Sequence, residues 1–466
     1  MQADPQFRQN RRAFLTSSTG ALGALALHTL LAESGAAAGS AAAPHHPAAA
    51  DSVICLFQHG GPSQVDLFDP KPELTRRDGQ PYDGELEIHF VVQRGNCLAS
   101  PFRFAPQGRC GMELSELLPH TGRIADELTL IRSMKTTSVD HESALRLIHT
   151  GKFQAGYPTW GSWVIYGLGS PNRNLPAYVV LTDPGGMPVD GVRNWASGWL
   201  PATYQGVAFR PGRVPVPNLA TPADVPAGAR RRQLELLNAW NRDHARSYAD
   251  NAELEARITS FEVAARMQSA VPEALDLSRE PEYIRRLYGL DHPATAEYGT
   301  RCLLARRLVE RGVRFVQLFL AGQPWDTHSN NAASLRTLCQ RIDRPSAALV
   351  FDLKQRGLLD RTAVVWGGEF GRLPVSQGKD GRDHNRHAGS LWIAGGGFRR
   401  GYVHGRTDEF GYAAVEDVVT VSDLHATLLH ALGLDHLRLT FPHEGRPGSL
   451  TDVAITRASV QRKLLA

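Results

Sequence analysis

An apolar run that stops at two glycines and then presents charge constrains this chain most: Ala363-Val-Val-Trp366, Gly367-Gly368, then Glu369-Phe370-Gly371-Arg372. A continuous apolar run with β-branched residues suits a strand buried on both faces, and such strands belong to parallel sheets covered by helices. In those folds functional groups gather in the crevice beyond the strands' carboxyl ends. A short loop later comes Gly381-Arg-Asp-His-Asn-Arg-His387, dense in Asp and His. A carboxylate with several imidazoles is the donor set of a divalent ion. A charged loop after a core strand has a similar composition, so the stretch alone leaves both readings open.

Other apolar runs place this one in a larger array. Strands are predicted at Ser52–Phe57, Leu128–Ile131, Ala177–Leu181, Val313–Phe319, Thr362–Trp366 and Ser390–Ala394. Apolar spacing predicts helices at Glu113–Ile124, His141–His149, Arg231–Gln268, Thr300–Arg311 and Asp423–Leu432. A further helix, Ala332–Gln355, is predicted to break near Pro345. Strands alternating with helices imply an α/β fold, a doubly wound, mostly parallel sheet with helices on both faces. The interval Asp183–Arg230, rich in Gly, Pro and Trp, has the length of a functional lid or a padded excursion. With the helices after it, it reads as an insertion at about 183–270 within one domain spanning 51–466.

Four strand ends carry polar groups that burial does not require. His59, Ser63, Asp66 and Asp69 follow the first strand; Asp326 and His328 follow the Val313–Phe319 strand. Glu369 ends the next, with Asp383, His384 and His387 beyond it. His59, Asp326, His328, Glu369 and His384 form the candidate ligand set, with Asp66, Asp383 and His387 as further candidates. Each alone equally suits a solvated loop or a helix cap; what joins them is the shared carboxyl edge of the sheet. His141 begins a helix, where backbone amides and the macrodipole favour an anion.

The amino terminus reads as an address rather than as fold. Asn10-Arg-Arg-Ala-Phe-Leu-Thr16 is a twin-arginine signature, and a short, weakly apolar stretch follows. Residues 1–50 are therefore expected to be a leader and disordered tether, giving a periplasmic or exported protein that meets a membrane only through an uncleaved leader. Without them the net charge falls from +4 to +3 and no basic block remains, which argues against a nucleic-acid partner. Five cysteines are sparse and show no metal-binding spacing. Cys55 and Cys302 suit the core, whereas Cys97 and Cys110 flank a turn-rich segment and could pair.

Taken together, these motifs resemble the exported bacterial family catalogued as domain of unknown function 1501. The matching stretches include His59-Gly-Gly-Pro-Ser63, Phe68-Asp-Pro-Lys-Pro72, His149-Thr-Gly151, Trp325-Asp-Thr-His328, Gly368-Glu-Phe-Gly-Arg372 and Gly381-Arg-Asp-His384. The pattern is distantly similar to the alkaline phosphatase and sulfatase superfamily. That resemblance implies His59 at a metal-binding position, His141 near the place of the nucleophile, and Asp326, His328, Glu369 and His384 at or beside ligand positions. Two acidic ligands are changed and the hydroxyl or thiol nucleophile is missing, which sets this chain apart from the superfamily's usual two-metal and covalent chemistry.

The expected function is a metal-dependent hydrolase of a phosphate or sulfate ester, small or carried on a sulfated or phosphorylated glycan. The expected ion is zinc, manganese, iron or calcium. His141 is expected as a further ligand, base or nucleophile, and Arg372 and Arg382 as holders of the anionic group. The rival expectation is a non-enzymatic envelope binding module on the same fold, its site repurposed.

Overall fold

Alternate residues of β1 (Ser52–Phe57) enter two separate apolar clusters: Ile54 and Leu56 one, Val53, Cys55 and Phe57 the other. A strand so divided is buried on both faces, and all six of its residues are buried. The computed structural model describes residues 43–89, 94–210, 212, 215–217, 219–220, 224–248 and 251–466. The twin-arginine signature and the apolar stretch behind it lie outside these residues.

The other strands of the main sheet are β2 (Leu128–Lys135), β3 (Tyr178–Leu181), β4 (Val207–Phe209), β5 (Phe315–Leu318), β6 (Thr362–Gly367), β7 (Gly389–Ala394), β8 (Tyr402–His404) and β9 (Val419–Thr420). Their order is β8-β2-β7-β6-β1-β5-β3-β4, with β9 pairing the carboxyl half of β2. β7 alone runs against its neighbours β2 and β6; the remaining pairings are parallel. One cluster packs under α4 (Ala252–Leu275), α5 (Ala296–Glu310) and α6 (Asn331–Gln355), and the other under α1 (His141–Thr150), α2 (Trp160–Leu168) and α7 (Val421–Ala431), with α3 (Ala227–Ser247) preceding α4. The sheet is thus mostly parallel and covered by helices on both faces, as the alternation of elements implies.

Local departures have local causes. The helix expected at Glu113–Ile124 is instead a strand, Met112–Ser115, paired antiparallel with Phe104–Gln107, followed by the single turn Pro119–Gly122. Leu118 precedes a proline and takes φ −118° and ψ 50°, which no helix crosses. Conversely α6 runs unbroken through Pro345. Its buried stripe of Leu335, Leu338, Ile342, Leu349 and Leu353 holds it across the lost hydrogen bond. Residues 44–50, expected as tether, are bonded to the body. Ala49 and Ala50 donate to the Ala431 carbonyl at 2.8 Å each, and His45 to that of Gly433 at 2.8 Å. Residues Pro44–Ala466 form one compact unit. All five cysteines are free, so the expected Cys97–Cys110 pairing is not made; Cys97 is buried and Cys110 exposed.

Candidate metal centre

Because β1, β5 and β6 are adjacent and parallel, their carboxyl ends open on one edge of the sheet. His59 leaves β1 there, Asp326 and His328 follow β5, and Glu369 follows β6. Gln58 ties two of these ends together: its Oε1 accepts from Trp325 Nε1 at 3.0 Å, while its amide donates to the Leu56 carbonyl at 2.9 Å. Gly60 is required by close approach, with φ at 111° and space so tight that a Cβ would sit 2.5 Å from the Asp326 amide nitrogen.

Glu369 is fully enclosed and accepts from the Gly60 amide at 2.9 Å. Burial works against its charge, but His59 and His141 outweigh it and bring its pKa down to about 2. His141 is the first residue of α1, whose amino terminus is capped by Asp140 accepting from the Ser143 amide at 2.9 Å. Its Nδ1 meets Glu369 Oε1 at 2.6 Å, and its Nε2 stands 3.2 Å from Asp326 Oδ1, out of line for a hydrogen bond. Burial pulls its pKa down, yet contact with Asp326 and Glu369 lifts it to about 9.

Asp326 Oδ1 is the focus of the cluster. Around it stand Arg372 Nη2 at 2.6 Å, His328 Nε2 at 2.9 Å, His384 Nε2 at 3.1 Å and His141 Nε2 at 3.2 Å. Against the cost of burial, the imidazoles and Arg372 hold the carboxyl far below its ordinary range. Four nitrogens around one oxygen exceed what it can accept as hydrogen bonds. His384 sharpens the point. Its Nδ1 donates to the Val139 carbonyl at 2.5 Å, its Nε2 meets Asp326 Oδ1 at 3.1 Å, and burial lowers its pKa to about 4 against the pull of Asp326.

At Glu369 the same test gives a second answer. Neither ring nitrogen of fully buried His59 makes a hydrogen bond of ordinary geometry, and its Nε2 lies 3.9 Å from Glu369 Oε1. Burial lowers its pKa against the pull of Glu369 and of the Gly322 backbone. Orphaned buried nitrogens beside carboxylates, with no sulfur, fit a divalent ion. Three sets have ligand-capable atoms within 4.8 Å of one another: His59, His141 and Glu369; His141, Asp326 and His384; and His328, Asp383 and His384.

All five expected ligands and Asp383 thus meet at one edge, but other candidates lie elsewhere. Arg382, expected to hold an anion, is fully buried and bonded to Asp66 at 2.8 and 3.0 Å and to the Leu98 and Leu373 carbonyls at 2.9 and 3.1 Å. Asp66 also accepts from Ser63 at 2.6 Å and Asn331 at 2.9 Å. This pair braces the loop before His384 and does not face the cluster. Arg372 reaches the cluster only through Asp326, its remaining donors going to the Gly60, Gly61 and Arg382 carbonyls. His387 pairs with Glu87 at 2.8 Å. The Val139 carbonyl that accepts from His384 and the Gln377 side chain that meets His328 Nδ1 were not foreseen from the sequence. Only Gln58, a polar residue ending an apolar run, carried any signal.

A family model described as "Protein of unknown function (DUF1501)" matches residues 50–464. No curated protein sequence matches the chain. Among solved structures, similarity extends to a sulfatase from Pseudoalteromonas sp., at 13% identity over 88% of this chain and 70% of that one, with a TM-score of 0.35. A phosphonate monoester hydrolase from Silicibacter pomeroyi is 11% identical over 88% and 78%, with a TM-score of 0.34. Alkaline phosphatase from the Antarctic bacterium TAB5 is 10% identical over 82% and 98%, with a TM-score of 0.31.

Proposed function

The chain belongs to the DUF1501 family, and on the geometry of its carboxyl-edge cluster we propose that it is a metal-dependent hydrolase of a phosphate or sulfate ester. The observation that carries the reading is the convergence of ligand-capable atoms at the two carboxylates: the buried ring of His59 beside Glu369, and four nitrogens crowded around Asp326 Oδ1. His59, Asp326, His328, Glu369 and His384 would hold the ion, which when bound polarises an ester oxygen and acidifies a water. So many imidazoles favour zinc, manganese or iron over calcium, whose ligands are oxygens.

The residues' own contributions follow from their contacts. The Gly60 amide and the imidazoles keep Glu369 and Asp326 ionised, and the Val139 carbonyl fixes the tautomer of His384. Among the described residues the cluster opens toward His328: the His328 side chain is 27% exposed and that of Asp326 13%, against 0% for His59 and Glu369. An ester would enter from the His328 side. The Ser63 hydroxyl is bonded to Asp66 and that of Thr327 to Asn331, and in this reading a water acidified by the ion would be the nucleophile. The substrate would be a small anionic ester or a sulfated or phosphorylated glycan, and the protein would reach the periplasm by the twin-arginine route.

The test is metal analysis of protein purified without chelator, with nitrophenyl phosphate and nitrophenyl sulfate assayed before and after metal removal. Bound ion and hydrolysis lost on chelation and restored by zinc, manganese or iron support the proposal. Metal-free protein that stays inert on reloading overturns it and favours a binding module.

A further inference from the structure

Away from the metal centre, one helix keeps an apolar face turned to solvent. α3 runs beside α4, and its partly covered side is formed by Leu234, Asn238, Asn241 and Ala245, which recur at helical spacing. Next to that side Leu236, Leu237 and Trp240 are 50%, 46% and 63% exposed. Tyr248, just past the helix, is 54% exposed, its ring 4.8 Å from that of His244. Residues 237, 240 and 244 are three and four apart and so share one stripe, with 236 at its edge and 248 extending it. Among the described residues Trp240 is the one exposed tryptophan. Leucines and aromatics gathered in this way mark a surface that meets a partner.

The charge of the helix identifies that partner. α3 carries five arginines, Arg230, Arg231, Arg232, Arg242 and Arg246, against two carboxylates, Glu235 and Asp243. Both carboxylates are already paired, Glu235 with Arg231 at 3.6 Å and Asp243 with Arg246 at 3.3 Å. Among the described residues no carboxylate pairs with Arg232 or Arg242, and both side chains are exposed. We propose that α3 docks on an anionic phospholipid surface, with Leu236, Leu237 and Trp240 entering the headgroup layer and the arginines meeting its phosphates. Such an interface supplies both things the helix lacks, an apolar layer for the stripe and negative charge for the surplus guanidiniums. Arginine stems lie along apolar surface while their heads stay with the phosphates, and tryptophan and tyrosine pair an apolar ring with a polar tip. A second copy of this face is the poorer occupant, for it would set surplus arginines against surplus arginines with no free carboxylate on either helix. A nucleic acid answers the charge but leaves the two leucines in water.

The experiment uses the full chain with vesicles of phosphatidylglycerol and phosphatidylethanolamine, or of phosphatidylcholine alone, read by co-sedimentation. The parent should bind the anionic vesicles and not the neutral ones, and binding should weaken as salt rises. Trp240→Glu, and separately Arg232→Glu with Arg242→Glu, should each lower the affinity at least about tenfold. Their melting curves should match the parent's, because these side chains are exposed. Lipids brominated on their acyl chains should quench part of the parent's fluorescence, through Trp240. Failure of the parent to bind overturns the proposal, and so does equal binding by the parent and both variants, which assigns it to another part of the chain. A parent that is dimeric at sedimentation equilibrium and becomes monomeric as Trp240→Glu overturns it in favour of a second copy. Binding of single-stranded DNA in place of vesicles overturns it in favour of a nucleic acid. Should Trp240→Glu fail to fold, the paired arginine variant still decides.

Discussion

Arg382→Met removes one partner of a buried ion pair in which both side chains are 0% exposed, and so separates a bracing guanidinium from one that holds a ligand. The Asp66 carboxylate keeps its hydrogen bonds from Ser63 and Asn331 but loses both guanidinium bonds and its only counter-charge in this pair. Removing one partner of a buried pair costs about 3–5 kcal/mol, since the remaining charge stays desolvated. With an unfolding entropy of roughly 2 cal/mol/K per residue over a body of this size, the melting point should fall by about 3–6 °C. In the parent, burial opposes the ionisation of Asp66 but Arg382 holds its pKa below the ordinary value. The pair's contribution is therefore present above the unfolded carboxyl value of about 3.9 and lost as pH falls through the lower folded one. The mutant's deficit should be largest near neutral pH and shrink toward about pH 4, where its unpaired Asp66 takes up a proton. Urea unfolding followed by tryptophan fluorescence across this pH range measures both effects. If Arg382→Met stays within about 0.5 kcal/mol of the parent while phosphate binding collapses, the guanidinium is an anion holder and its bracing role is refuted.

The ligand set carries its own test: Asp326→Ala and His384→Ala should each lower bound metal, and the double variant should cost little more, because residues sharing one site are not additive; metal content scaling with the number of residues removed would count against convergence. Gly60→Ala should destabilise the protein and deplete its metal, since its Cβ would meet the Asp326 and Trp325 amide nitrogens at 2.5 and 2.8 Å, whereas Gly79→Ala, with nothing within 4 Å, should cost only about 1–2 kcal/mol of backbone strain; calorimetry and metal analysis on both variants compare them. Alkylation read by mass spectrometry should label Cys110 in the native protein and Cys55, Cys302 and Cys339 only in denaturant, and a Cys97–Cys110 disulfide peptide would contradict the free thiols. Replacing Arg11 and Arg12 by Lys should strand the precursor in the cytoplasm, which fractionation and immunoblotting would reveal.

The outline of the site was legible because burial leaves a local mark. Ser52–Phe57 and Thr362–Trp366 are continuous apolar runs, as strands covered on both faces must be, and each ends where a His or Glu breaks the run. Parallel strands share a carboxyl edge, so His59, Asp326, Glu369 and the Asp383-His384 pair could be gathered without knowing the strand order. The ends of α1 are equally local, for the Asp140 cap and the left-handed Gly151 at φ 71° are properties of adjacent residues.

What tertiary structure decided concerns partners distant in sequence. Nothing near Arg382 announces Asp66, 316 residues away, so its charge read as available for a ligand when it was already spent. Nothing near Val139 announces that its carbonyl, 245 residues from His384, accepts the proton on that ring's Nδ1. The reversal of β7, the helix that runs through Pro345 and the strand at Met112–Ser115 have the same origin. Periodicity tells which face of an element is buried, while direction, register and the cost of a local irregularity are settled by what packs against it. The amino-acid sequence by itself therefore determined the central strands of the sheet and the edge at which His59, Asp326, Glu369 and His384 gather. The folded contacts alone determined which nitrogen faces which oxygen, because hydrogen-bond direction and buried charge pairing exist only once remote segments meet.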